Sequence, residues 1–136
     1  PLARWNDEFF INAKGEPFRR DGVTVPKDLP DLAGPDGSGA EVLSFLDQLR
    51  LELAPLGLEV TQLRLEDRGA WRFQVNEGLW VVLGRSEQNI RLMRFKVAWQ
   101  KKLNALMSRI RYIDLRYPNG LVVAWHGETN ANISSN

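Results

Sequence analysis

A catalytic group needs a partner that tunes it, so the titratable residues come first. The chain has one histidine, His126, and no cysteine. That excludes disulfides and thiol chemistry, and leaves no histidine or cysteine cluster at metal-ligand spacing. The nearest approach to an acid–base pair is Asp7 beside Glu8, or Glu66 beside Asp67. Adjacent side chains on a strand point to opposite faces, so neither pair converges on one point. No Gly-rich loop leads to a lysine that could cradle a phosphate. Gly34 and Gly37 are interrupted by Pro35 and read as turn residues. No catalytic residue, metal or cofactor is expected, and the chemistry points to binding.

Charge supplies one candidate surface. The net charge is only +1, but its distribution is uneven. Arg85, Arg91, Arg94, Lys96, Lys101, Lys102, Arg109 and Arg111 face the single acid Glu87 in that segment, with Trp99 among them. Such a patch suits an anionic polymer or a membrane surface. The plainer reading is the solvated face of an amphipathic helix. No RNA-binding aromatic motif accompanies it, so nucleic acid is not an expected partner.

The other candidate is an edge. Leu121, Val122, Val123, Ala124 and Trp125 contain no charge and no proline. As the last strand of a sheet they would offer unpaired backbone N–H and C=O groups without the usual protection. A partner can add a strand there, two copies of the chain can pair there, or the strand can pair internally. Five or six added ladder bonds would contribute about 1 kcal/mol each, and buried Tyr or Trp anchors about 2 kcal/mol each. After the cost of ordering a flexible partner, micromolar or tighter binding follows.

These candidates need elements to hold them. A chain of 136 residues, 43% hydrophobic and 26% charged, fits one globular domain with a real core. No stretch approaches the roughly 18 apolar residues of a spanning helix, and no signal peptide is visible. The chain starts at Pro1 without Met and reads as part of something longer. Phe9, Phe10 and Ile11, then Pro17 and Phe18, suggest two short strands around a turn. Residues 21–39, broken by Pro26, Pro30 and Pro35, read as a surface loop. Ser38 and Glu41 match a capping box ahead of Val42, Phe45, Leu46, Leu49 and Leu53 at helical spacing. Pro55 and Gly57 end that helix.

A three-strand meander follows over residues 58–83. A phase shift between Val60 and Leu63 predicts a bulge, and Arg68 sits in the first turn. Ser86 is placed as the cap of a second helix reaching about Ile110, with Ile90, Met93, Val97 and Leu103 or Leu106 facing inward. In the closing hairpin, Ile113, Leu115 and Tyr117 share one face. Pro118, Asn119 and Gly120 turn the chain, with Gly120 expected to be left-handed. Residues 127–136 read as a flexible polar tail holding a chance sequon at Asn132. The order predicts α+β, a largely antiparallel sheet of about six to eight strands with two helices.

The hairpin Tyr112-Ile113-Asp114-Leu115-Arg116-Tyr117-Pro118-Asn119-Gly120-Leu121-Val122-Val123-Ala124-Trp125 closely resembles the C-terminal signature of the FtsQ family of bacterial cell-division proteins. Three other stretches resemble the family in the same order. These are Pro1-Leu2-Ala3-Arg4-Trp5, the Pro/Gly segment from Leu29 to Ser38, and Leu83-Gly84-Arg85 with the helix carrying Arg91-Leu92-Met93-Arg94-Phe95. The resemblance implies the periplasmic β domain over residues 1–126, with a POTRA domain and a single transmembrane anchor outside this chain. It implies a non-catalytic platform at the division septum, on the periplasmic face of the inner membrane. The implied partners are FtsB and FtsL, among other division proteins, with FtsB adding a strand to the last β-strand. Carried over by residue, the binding candidates are Arg116, Tyr117, Asn119, Gly120 and Trp125, and the backbone of Leu121, Val122, Val123 and Ala124. Arg68 is the nearest match to a family arginine that pairs with FtsB.

Overall fold

The computed structural model describes residues 2–19, 28–76 and 78–127. Among the described residues the chain forms one sheet of nine strands, one more than the upper end of the expected range. In chain order these are β1 (Ala3–Trp5), β2 (Phe9–Ile11), β3 (Pro17–Arg19), β4 (Asp31–Ala33), β5 (Val60–Leu65), β6 (Trp71–Val75), β7 (Leu79–Gly84), β8 (Ile110–Asp114) and β9 (Val122–Trp125). Their spatial order is β3-β2-β1-β4-β5-β6-β7-β8-β9. Five neighbouring pairs are antiparallel; β1 with β4, β4 with β5 and β7 with β8 are parallel. The architecture is α+β, as expected.

Two of the parallel joins require crossovers, and these carry the helices. Helix α1 (Gly39–Leu53) links β4 to β5, and α2 (Gln88–Lys101) links β7 to β8. They lie side by side: Gln48 donates to Asn89 at 2.8 Å and Lys96 pairs with Glu52 at 3.3 Å. Val42, Leu43, Leu46, Leu49 and Leu53 of α1 join Leu63, Phe73, Val81, Leu83, Phe95 and Ile113 in one core.

The expected capping box is absent. Ser38 occupies the N-cap of α1, but its hydroxyl donates to the Pro35 carbonyl at 2.6 Å and makes no bond to the helix. The preceding turn has claimed it. Beyond α1, Pro55 sits in a 3-10 turn and Gly57 adopts φ +75°, as a helix stop requires.

The meander forms as predicted, with the register shift between Val60 and Gln62. The Pro/Gly segment does not stay a surface loop throughout. Its Asp31–Ala33 stretch inserts between β1 and β5, with Leu32 only 2% exposed. Strands of three residues are too short to show a period. Their fixings are long-range: Asn6 exchanges hydrogen bonds of 3.0 Å with the Gly34 backbone, and Arg4 donates to the Leu29 carbonyl at 3.0 Å. Residues 21–27 and the polar tail from 128, including the sequon, lie outside the described residues.

Helix α2 differs most from expectation. Its N-cap is Glu87 at φ +56°, not Ser86, and it ends at Lys101 rather than near Ile110. A 3-10 segment, Leu103–Arg109, completes the connection. The buried stripe is Leu92, Phe95 and Trp99, whereas Ile90, Met93 and Val97 face outward. The helix has two apolar stripes, and the one with the larger side chains takes the core because burial gain scales with area.

Candidate partner-binding edge

Among the described residues, strand β9 ends the sheet. The His126 N–H donates to the Arg109 carbonyl at 2.9 Å, which fixes the parity of the strand. Alternate residues turn their backbone groups to opposite sides. Val122 and Ala124 therefore address β8, while Val123 and Trp125 aim N–H and C=O outward. Four backbone groups from β9 itself are thus available, fewer than the five or six bonds expected from sequence. The register shift at Ile110/Tyr112 lies in β8, so the parity along β9 is unbroken.

The side chains of β9 divide between faces. Val123 is buried opposite Ile113, and Ala124 is buried opposite Tyr112. Val122 and Leu121 are half-buried. Trp125 is half-buried as well, with the Arg109 guanidinium 5.7 Å from its ring. Its flank packs on the core while its outer surface stays accessible.

The turn into β9 is held from α2. Arg94 donates to the Tyr117 and Gly120 carbonyls at 3.0 and 3.1 Å through Nη1, and to the Pro118 carbonyl at 3.1 Å through Nη2. The sequence pattern puts Arg94 on the solvated face of its helix. No local spacing connects it to residues 117–120, so sequence reasoning missed it. Gly120 is not left-handed, contrary to expectation. Its role here is to present a carbonyl to Arg94. Asn119 is exposed at the tip. Tyr117 does not share the buried face of Ile113 and Leu115, because β8 stops at Asp114 and the chain turns; Tyr117 is 46% exposed.

Arg116 leans back on its own strand. Its Nη2 donates to Asp114 Oδ2 at 2.7 Å and its Nε to Asp114 Oδ1 at 2.9 Å. The Asp114 side chain is 7% exposed, that of Arg116 60%. Hydrogen bonding to Asp114 raises the Arg116 pKa further above its ordinary value. The guanidinium is positioned yet keeps an open flank.

Arg116 and Arg68 meet in one cleft of about 610 Å³ at the end of β7, together with Arg85 and Arg91. Glu66 and Asp67 also line it, against the four arginines, and Glu66 is engaged by Arg72 at 2.9 Å. The cleft depends on Gly84, which sits at φ +82°. A Cβ there would stand 2.7 Å from Arg91 Nη1 and 2.9 Å from Arg116 Cγ. The floor must be glycine for both arginines to approach. The arrangement offers a main-chain edge, an exposed tyrosine and a cleft rich in arginine, a combination of the kind suited to an extended chain carrying acidic side chains.

The model of the family described as "Cell division protein FtsQ/DivIB, C-terminal" matches residues 3–116. Relatives named "Cell division protein FtsQ" extend the likeness through the hairpin. The one from Coxiella burnetii is 37% identical over 125 residues, 92% of this chain and 51% of its own length. The one from Hahella chejuensis is 34% identical over 94% of the chain and 46% of its own length. The one from Aliivibrio fischeri is 32% identical over 100% of the chain and 53% of its own length. The chain therefore spans about half the length of these relatives.

Proposed function

The chain belongs to the FtsQ/DivIB C-terminal family of cell-division proteins, and from that premise we propose that it is a non-catalytic docking platform of the division machinery. Residues 1–126 form the partner-binding domain. It works on the periplasmic face of the inner membrane, with the anchor and POTRA domain in the rest of the protein. FtsB is the direct partner, with FtsL assembled alongside, and other division proteins are recruited through them.

The observation that carries this reading is the outward parity of Val123 and Trp125 on the terminal strand. A partner strand there gains main-chain bonds from those two residues, and the adjoining cleft gains an acidic side chain between Arg68 and Arg116. Four backbone bonds at about 1 kcal/mol each are modest. An aromatic contact at Tyr117 and a charge-assisted bond in the cleft must supply the rest.

The test is titration of the chain with a peptide from the membrane-distal periplasmic part of FtsB. Perturbation of residues 116–125 with Arg68 supports the reading. A folded chain that ignores the peptide at high micromolar concentration removes it. Concentration-dependent pairing of the chain through β9 would instead favour a homodimer.

The alternative, a basic surface for anionic polymer or membrane on α2, has less charge to offer than its sequence suggests. Arg91 donates to the Leu83 carbonyl at 2.6 Å, Lys96 pairs with Glu52, and Arg94 holds the turn.

A further inference from the structure

Helix α2 exposes an apolar stripe that the fold does not use. Ile90 is 58% exposed, Met93 56% and Val97 41%. Residues at these intervals fall on one line down a helix, and Lys101 continues it. At 1.5 Å per residue the line runs about 16 Å. It lies opposite the stripe of Leu92, Phe95 and Trp99 that meets the sheet.

We propose that this stripe docks an acidic amphipathic helix of a partner protein, laid lengthwise along α2. Charge selects the occupant. From Arg85 to Arg111 the only acid is Glu87, and Arg85, Lys101 and Lys102 stand exposed at the two ends of the stripe. Acidic flanks on an incoming helix are therefore favoured, while its apolar face covers Ile90, Met93 and Val97.

The neighbouring helix decides against broader occupants. On the exposed side of α1, Glu41 and Asp47 stand against Arg50, while Glu52 is already paired with Lys96 of α2. A flat anionic lipid surface resting on both helices would meet those carboxylates. A single rod on α2 avoids them. Two copies of α2 face to face would oppose like charge along their length. This surface is independent of β9, because strand addition uses backbone groups of Val123 and Trp125 that lie beyond the turn.

The test uses the whole chain and a synthetic helical peptide of about five turns, Leu on one face and Glu on its flanks. The same peptide with Lys for Glu, and vesicles of neutral lipid with phosphatidylglycerol, are run beside it. The expected result is amide-shift changes over residues 89–102 with the acidic peptide alone. Met93→Asp and Lys101→Glu, both exposed and expected to fold normally by circular dichroism, should each weaken it about tenfold. Equal binding of the basic peptide, absence of shifts on α2, vesicle binding in place of peptide binding, or self-association abolished by Met93→Asp would each overturn the proposal.

Discussion

The Arg94 guanidinium donates to the Tyr117 carbonyl at 3.0 Å, and the same group reaches Pro118 and Gly120 at 3.1 Å. One arginine on a helix thus holds the turn that sets the approach to β9. Arg94→Ala should cost about 1–3 kcal/mol, since three carbonyls lose a charged donor. Amides of Tyr117, Asn119, Gly120 and Leu121 should exchange faster with solvent. Arg94→Lys should recover only part of this, because an ammonium cannot reproduce the planar fork. Thermal melts and hydrogen exchange measure both effects.

The parity of β9 makes a position-specific prediction. Proline at 123 removes an N–H that points outward, while proline at 122 removes one that addresses β8. Val123→Pro should remain folded and lose partner binding. Val122→Pro should be destabilised by about 1–3 kcal/mol through the broken ladder. Chemical denaturation of the two variants, followed by partner titration, compares them. Equal destabilisation would show that the parity is wrong.

Arg116 carries a structural burden beside its proposed binding role. Arg116→Ala leaves the Asp114 carboxylate, 7% exposed, without its cation. The expected loss is about 1–3 kcal/mol, below that of a fully buried pair because the guanidinium is mostly exposed. Arg85→Ala, an exposed arginine on the same cleft, should change stability by less than about 0.5 kcal/mol. The raised Arg116 pKa contributes stability that is complete below the ordinary arginine value and fades only in strong alkali. The pair is therefore intact across the physiological range, and a stability profile from pH 6 to 9 should show no step from Arg116.

The two stripes of α2 should separate cleanly on mutation. Phe95→Ala, fully buried and 6.2 Å ring to ring from Phe73, should cost about 3–5 kcal/mol. Ile90→Ala should stay within about 0.5 kcal/mol. Urea titration of each variant checks the assignment.

That contrast also marks how far the sequence could be read. The meander was legible because Trp71, Phe73 and Val75 alternate with polar residues, and α1 because one stripe dominates it. Helix α2 offered two stripes at equal spacing, and spacing alone cannot weigh Leu92, Phe95 and Trp99 against Ile90, Met93 and Val97. Strands β1 and β4 were not identified because three residues show no period. The terminal position of β9 followed from its place at the end of the chain and its uncharged run. What supports it did not: Arg94 lies 23 to 26 residues from the carbonyls it binds, and Arg68 and Arg116 converge only because β7 ends at Gly84 between them. Such pairings are made by the sheet order, which local patterns do not encode.

The most direct test of strand addition is amide hydrogen exchange of the chain with and without the FtsB peptide. Val122 and Ala124, already bonded to β8, should be protected in both states. Val123 and Trp125 should exchange quickly alone and become protected in the complex. If the peptide binds while Val123 and Trp125 exchange as fast as before, β9 is not the docking edge and the account fails.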